Sequence, residues 1–130
     1  MTQIKSIFPD IPSKDIAASR DFYVGLLGLT VAWESDWYVL LHGDGPDIQL
    51  AIVEHGHDSI PANHHHAASG VLITFEVDDA TALWGRAQEL KLEVAQELRD
   101  EEVGQRHFMV LDPNGLLVDV VETLFVPDAN

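Results

Sequence analysis

Apolar residues along the chain recur with two periods, and the same succession of periods runs through the sequence twice. Residues 4–11 read as an extended apolar stretch leading to Asp15. Ile16, Tyr23, Leu26 and Leu27 then fall on one helical face within residues 16–27, with Asp15 suited to the N-cap and Gly28 to a left-handed C-terminal stop. Three strand-like runs follow, 29–34, 37–42 and 48–54, the last two separated by the turn signal Gly43-Asp44-Gly45-Pro46. The second half repeats the order. A strand over 71–77 precedes a helix after Asp79, where Ala80, Leu83, Ala87 and Leu90 have helical spacing. Strands over 93–97, 105–111 and 116–123 follow, the last two joined by Asp112-Pro113-Asn114-Gly115. The expected fold is α+β: two tandem βαβββ modules forming a cup-shaped mixed β-sheet backed by helices. Module one covers about residues 4–54, module two about 71–124, and 55–69 link them within a single domain over residues 1–130.

Alternation along each strand assigns faces. In the last strand Leu116, Val118 and Val120 form the helix-side set, leaving Leu117, Asp119 and Val121 on the concave face. Ile73 and Phe75 face the helix and Leu72, Thr74 and Glu76 the cup. The fourth strand offers Gln49, Ala51 and Val53 to the cup, and the first offers Ser6, Phe8 and Asp10. Pairing across the turn at 112–115 brings Met109 opposite Asp119, so His107 and Met109 share its face, while Arg106 points to the other. A concave surface of hydrocarbon with a few polar groups is how a small-molecule site is usually furnished.

Composition narrows the possible partners. Seven Lys plus Arg against 22 Asp plus Glu give a net charge of −15, which disfavours nucleic acid and anionic membrane surfaces. The N-terminal residues lack the order of a signal peptide, and no run is long and apolar enough to span a bilayer, so the expected location is cytoplasmic. With no cysteine, disulfides, thiol nucleophiles and thiolate ligands drop out. The run His64-His65-His66 lies in the linker, where adjacent side chains diverge. It is expected to be solvated and to take up nickel or zinc in vitro without forming a native metal site.

Several pieces in order resemble the vicinal oxygen chelate superfamily, which includes glyoxalases, bleomycin-resistance proteins and extradiol dioxygenases. These are Asp15-Ile16 followed by Ser19-Arg20-Asp21-Phe22-Tyr23 and Leu27-Gly28-Leu29, then Phe75-Glu76-Val77-Asp78-Asp79, and finally Asp112-Pro113-Asn114-Gly115 with Val118-Asp119-Val120-Val121-Glu122. The resemblance covers nearly the whole chain and implies a βαβββ module used twice, often in a homodimer. It also implies that the positions supplying metal ligands in metal-dependent members, on the first and fourth strands, are here Phe8, Gln49, Leu72 and Asp119. Two of these are hydrocarbon, so the expectation is a member without metal or other cofactor.

Two functions follow as expectations. The first is a metal-independent binding protein whose cup takes an aromatic or cationic small molecule, with Phe8, Trp33, Trp37, Gln49, Leu72, Glu76, Arg106 and Met109 as ligand contacts. The alternative is a glyoxalase-like lyase or isomerase, in which His107 exchanges protons and Asp119 orients it. Arg106 also has a purely structural reading, pairing with the acidic run at 100–102.

Overall fold

A computed structural model of the chain describes residues 2–45 and 47–126. The described chain divides into two compact units, the first ending at Ala68 and the second beginning at Ser69. Each unit is a βαβββ module. The first contains β1 (Asp10–Ser13), α1 (Ile16–Leu27), β2 (Thr30–Glu34), β3 (Tyr38–His42) and β4 (Gln49–Glu54). The second contains β5 (Leu72–Glu76), α2 (Ala80–Glu89), β6 (Val94–Glu101), β7 (Gln105–Leu111) and β8 (Leu117–Thr123). Each makes its own four-stranded mixed sheet, in the orders β1-β4-β3-β2 and β5-β8-β7-β6, with one parallel pair and two antiparallel pairs. The α+β fold of two tandem βαβββ modules is therefore the one expected. Between them, a single short 3₁₀ turn spans Ala62–His64.

The helices start and stop as their end residues dictate. Asp15 accepts a hydrogen bond from the Ala18 N–H at 3.0 Å, and Asp79 accepts one from the Ala82 N–H at 2.9 Å. Gly28 closes α1 at φ 69°, a conformation that a side chain disfavours. α1 packs on β3 and β4, and α2 on β6, β7 and β8. Phe22, Tyr23 and Leu26 are buried on α1, as are Ile11, Val39, Leu41, Leu50 and Ile52 on the first sheet. In the second unit, Ala80 and Ala87 of α2 and Phe108, Val110, Val118 and Val120 of the sheet are fully buried, and Trp84 lies 5.3 Å from Phe108. Each large side chain so buried stabilises by roughly 1.5–3 kcal/mol.

Three details depart from the sequence pattern. The buried stripe of α1 runs through Ser19 and Phe22, while Ile16 and Leu27 are only half-buried. Ser19 tolerates burial because its hydroxyl meets that of Ser13 at 2.8 Å, and Ser13 Oγ also accepts the Asp15 N–H. The first strand covers Asp10–Ser13, not residues 4–11. Its partner is β4, with Asp10 opposite Ala51, and β4 begins only at Gln49. Residues 4–7 thus run past the end of the partner, and Ile4 and Ile7 are exposed. Finally, β6 continues to Glu101, four residues beyond its expected end.

The two hairpins close as expected. In the first, the Gly43 N–H bonds to the Ile48 carbonyl at 2.9 Å, although Pro46 of the predicted turn lies outside the described residues. In the second, Asp112 Oδ1 accepts from the N–H groups of Asn114 and Leu116, at 2.8 and 3.0 Å. Among the described residues no helix is long and apolar enough to cross a membrane.

Candidate functional site

In both units the helix covers one sheet face, and the side chains on the other face are the candidates for chemistry. The open face of the first sheet carries Asp10, Gln49, Ala51, Tyr38, Leu40 and, on the edge strand, Trp33. Simple alternation from Val31, which pairs with Leu41 on the helix side, would send Trp33 to that side too. A bulge between Val31 and Trp33 shifts the register so that Trp33 sits opposite Leu40 instead. Trp33 is 53% exposed and lies 6.0 Å from the ring of Tyr38. The Tyr38 hydroxyl donates a long bond of 3.4 Å to Asp10 Oδ1. Partial burial pushes the Asp10 carboxyl above its usual value and the Tyr38 bond draws it back, while burial and the nearby Asp10 charge push the Tyr38 hydroxyl up. Trp37, just before β3, is stacked at 3.7 Å on His57, a linker residue whose Nδ1 accepts the Ser59 N–H at 3.1 Å.

The open face of the second sheet carries a chain of charges set in hydrocarbon. His107 Nδ1 lies 2.9 Å from Asp119 Oδ1, and its Nε2 lies 2.8 Å from Glu101 Oε2. Arg99, directly opposite His107 in the β6–β7 register, donates to the same Glu101 oxygen at 2.8 Å. His107 and Asp119 are buried, at 7% and 9% exposure. Burial alone disfavours the imidazolium, but the bonds to Glu101 and Asp119 overcome it and raise the His107 pKa above its ordinary value. The bonds from His107 and Arg99 lower the pKa of Glu101. Thr74 pairs with Asp119 from β5, and Met109 pairs with it from β7. Glu76 shares this face and accepts the Thr123 hydroxyl.

The structure thus joins His107 directly to Asp119, with Met109 beside them and Leu72 and Glu76 on the same face. Trp33 and Trp37 flank Tyr38 on the first unit, and Gln49 lies on its open face, paired with His42. Phe8 precedes β1 instead of lying within a strand. Arg106 lies on the helix side of its sheet, opposite Glu122, with Nε and Nη2 on the two Asp100 carboxylate oxygens at 2.8 and 3.1 Å. That is the structural pairing its sequence position allowed. Sequence reasoning missed Glu101, Arg99, Tyr38 and His57. Two irregularities in β6, between Val94 and Gln96 and between Gln96 and Arg99, set which of its residues face His107. In the linker, His65 Nε2 meets the Ile60 carbonyl at 2.6 Å, and the rings of His64 and His66 are 6.4 Å apart.

A catalytic divalent ion does not fit the donors that either unit presents, and among the described residues no three His, Asp or Glu side chains gather as a metal site. Phe8 and Leu72 offer no donor, and one oxygen of Asp119 is already bonded to His107. The registers also make Asp119 the counterpart of Ala51, and Gln49 the counterpart of Leu117, so at each position one module presents hydrocarbon. An ion that must polarise a carbonyl needs several hard or imidazole donors together.

Module order, strand registers and an open sheet face in each module define a class, that of the doubled βαβββ proteins. The chain belongs to the Glyoxalase/Bleomycin resistance protein/Dioxygenase superfamily, which it matches over residues 3–120. A curated relative is the anthracycline biosynthesis protein DnrV of Streptomyces peucetius, 32% identical over an alignment of 117 residues that covers 82% of this chain and 42% of DnrV. The chain thus spans less than half the length of that relative. Among solved structures, a glyoxalase/bleomycin resistance protein/dioxygenase from Nocardioides superimposes with a TM-score of 0.74 at 16% identity, covering 100% of this chain and 90% of that one. A lactoylglutathione lyase from Agrobacterium tumefaciens gives 0.72 at 20% identity, covering 93% and 96%. At these identities the likeness is one of fold.

Proposed function

We propose that this protein binds a flat aromatic or cationic small molecule without a metal ion, as a cytoplasmic homodimer of a single-domain chain. The observation that carries the reading is Trp33, turned by a bulge onto the open sheet face, half exposed, and grouped with Tyr38 and Asp10. An exposed indole beside a phenol and a carboxylate suits a planar ring, with affinity added by positive charge. The unsuitable donor set supports the absence of metal. The name of the curated relative points the same way, because anthracyclines are planar polycyclic molecules.

The test is titration of purified protein with doxorubicin and with acridone, a neutral tricyclic ring, followed by tryptophan fluorescence and thermal shift. Saturable quenching with metal chelated is expected, weakened about tenfold by Trp33→Ala, as for one lost aromatic contact. No binding, or binding only with added divalent ion, overturns the reading.

The His107–Asp119 bond favours a second reading, a lyase or isomerase of the glyoxalase kind. With both ring nitrogens engaged by carboxylates, His107 has no free lone pair, so Asp119 must be the group that accepts a proton. Turnover of the methylglyoxal–glutathione hemithioacetal, lost in Asp119→Asn, would establish it.

A further inference from the structure

We propose that Asn114 is a locked deamidation site, held unreactive in the folded chain by Asp112 as a positioning residue and released when the turn between β7 and β8 opens. The proposal does not depend on any ligand.

The conflict begins in the sequence. The turn takes a glycine at 115, where φ is 81° and a side chain is disfavoured. That glycine makes Asn114-Gly115 the one Asn-Gly pair in the chain, and it leaves an unhindered backbone nitrogen next to the Asn114 carboxamide. Asn114 is half-buried and Gly115 exposed, so water reaches the pair. In the reaction the Gly115 nitrogen loses its proton to solvent and bonds to Asn114 Cγ, while Nδ2 takes a proton from water and leaves as ammonia. Water then opens the five-membered imide at either carbonyl carbon. One water is consumed and one ammonia released. The product is aspartate, or isoaspartate with the main chain routed through the side chain.

Asp112 opposes the first step in three ways. Its carbonyl accepts the Gly115 N–H at 3.0 Å, so the proton that must leave is engaged. Its Oδ2 accepts from Asn114 Nδ2 at 3.2 Å, which ties the carboxamide to the residue two places back. Its Oδ1 accepts from the N–H groups of Asn114 and Leu116, on either side of Gly115, at 2.8 and 3.0 Å. A carboxylate so placed disfavours a second negative charge on the nitrogen between them. Asp112 is only 4% exposed, so water screens that charge little. The turn is held shut by the Asp112 N–H on the Leu116 carbonyl at 2.9 Å and by the pairing of Leu111 with Leu117. Reaction therefore waits on fraying of this end of the hairpin. The consequence is severe, because isoaspartate adds a main-chain atom between β7 and β8, the strands that carry His107 and Asp119.

The experiment incubates the full chain in mildly alkaline buffer, folded and in guanidinium, and follows each asparagine by peptide mass spectrometry. Asn63, exposed and followed by His64, is the internal control. In guanidinium Asn114 should convert well ahead of Asn63. In the folded chain Asn114 is expected to react at least about tenfold more slowly, since each contact of ordinary strength is worth a severalfold factor. Asp112→Asn keeps an acceptor for the backbone N–H groups but removes the charge, and should speed the folded-state reaction severalfold. Hydrogen exchange of the Leu116 amide measures how far the turn itself has loosened. A rate that rises only in proportion to that exchange makes Asp112 merely structural and overturns the lock. No preference for Asn114 in guanidinium, or equal Asn114 rates in the folded and unfolded unaltered protein, overturns the proposal even if the variant fails to fold.

Discussion

The two units share a strand order and a parallel register, yet their open faces carry different chemistry. Asp10 pairs with Ala51 in the first and Thr74 with Asp119 in the second, so corresponding strands align residue for residue. The divergence lies partly in the central strands, where Ala51 corresponds to Asp119 and Tyr38 to His107, and partly at the edge strands. A bulge in β2 delivers an indole to the open face of the first sheet, and two irregularities in β6 deliver Arg99 and Glu101 to the second. Central strands are constrained on both sides by ladder bonds, whereas an edge strand can take an extra residue and re-aim a side chain without breaking a second ladder. In this doubled fold the central pairing is held constant, while different side chains on the central strands and re-aimed residues on the edge strands set the two open faces apart.

The largest effect expected from that difference is at His107. Changing His107→Leu removes the partner of a buried carboxylate and should destabilise the protein by about 3 kcal/mol in urea denaturation. Replacing Asp119 by Leu as well should recover part of the loss, because the unpaired charge goes too. A double variant no better than the single one would show that packing, and not ion pairing, holds the second face together.

A smaller effect separates the units by pH. The folded pKa of His107 is raised above 6.5, so its stabilising contribution is fully present below that value and is lost as pH rises through the folded pKa. Denaturation midpoints should therefore fall on the alkaline side of pH 6.5 in the unaltered protein, and fall less in His107→Leu. Glu101 has a lowered pKa, so its contribution is lost instead at acid pH, as pH falls through the folded value. Stability from the charge chain is then greatest between the two. The same slope in both proteins would locate the titration elsewhere.

Much of this was legible in the sequence, for reasons that also explain what was not. The capping residues Asp15 and Asp79, the stop at Gly28 and the turn at Asp112 act through their own side chain or backbone, so a local reading finds them. The period of two correctly put His107, Met109 and Asp119 on one face and Arg106 on the other. By contrast, the extent of β1 is decided by where β4 begins, a fact about residues some forty positions away. Bulges leave no mark in composition. Trp33 on the open face and Glu101 beside His107 depend on register shifts that alternation cannot foresee, as does the stack of His57 on Trp37, which joins a linker to a strand start.

The smallest predicted effect sets Asp10 against Asp119. Both are carboxylates on open faces next to a ring-bearing partner, but Asp10 is exposed and its bond from Tyr38 is long, at 3.4 Å. Its pKa is raised by partial burial, so folding slightly favours the protonated form, and the charged form is a mild liability above the usual carboxylate range. Asp10→Asn removes that liability and keeps an acceptor for Tyr38. Its stability at neutral pH should change by no more than about 0.5 kcal/mol, on the favourable side. Asp119→Asn changes the hydrogen-bond partner of the buried His107 ring, and should be clearly destabilising under the same conditions. If Asp10→Asn proved as costly as Asp119→Asn, the Asp10–Tyr38 contact would stabilise its face as the His107–Asp119 bond does the other, and the two faces would differ less than their side chains suggest.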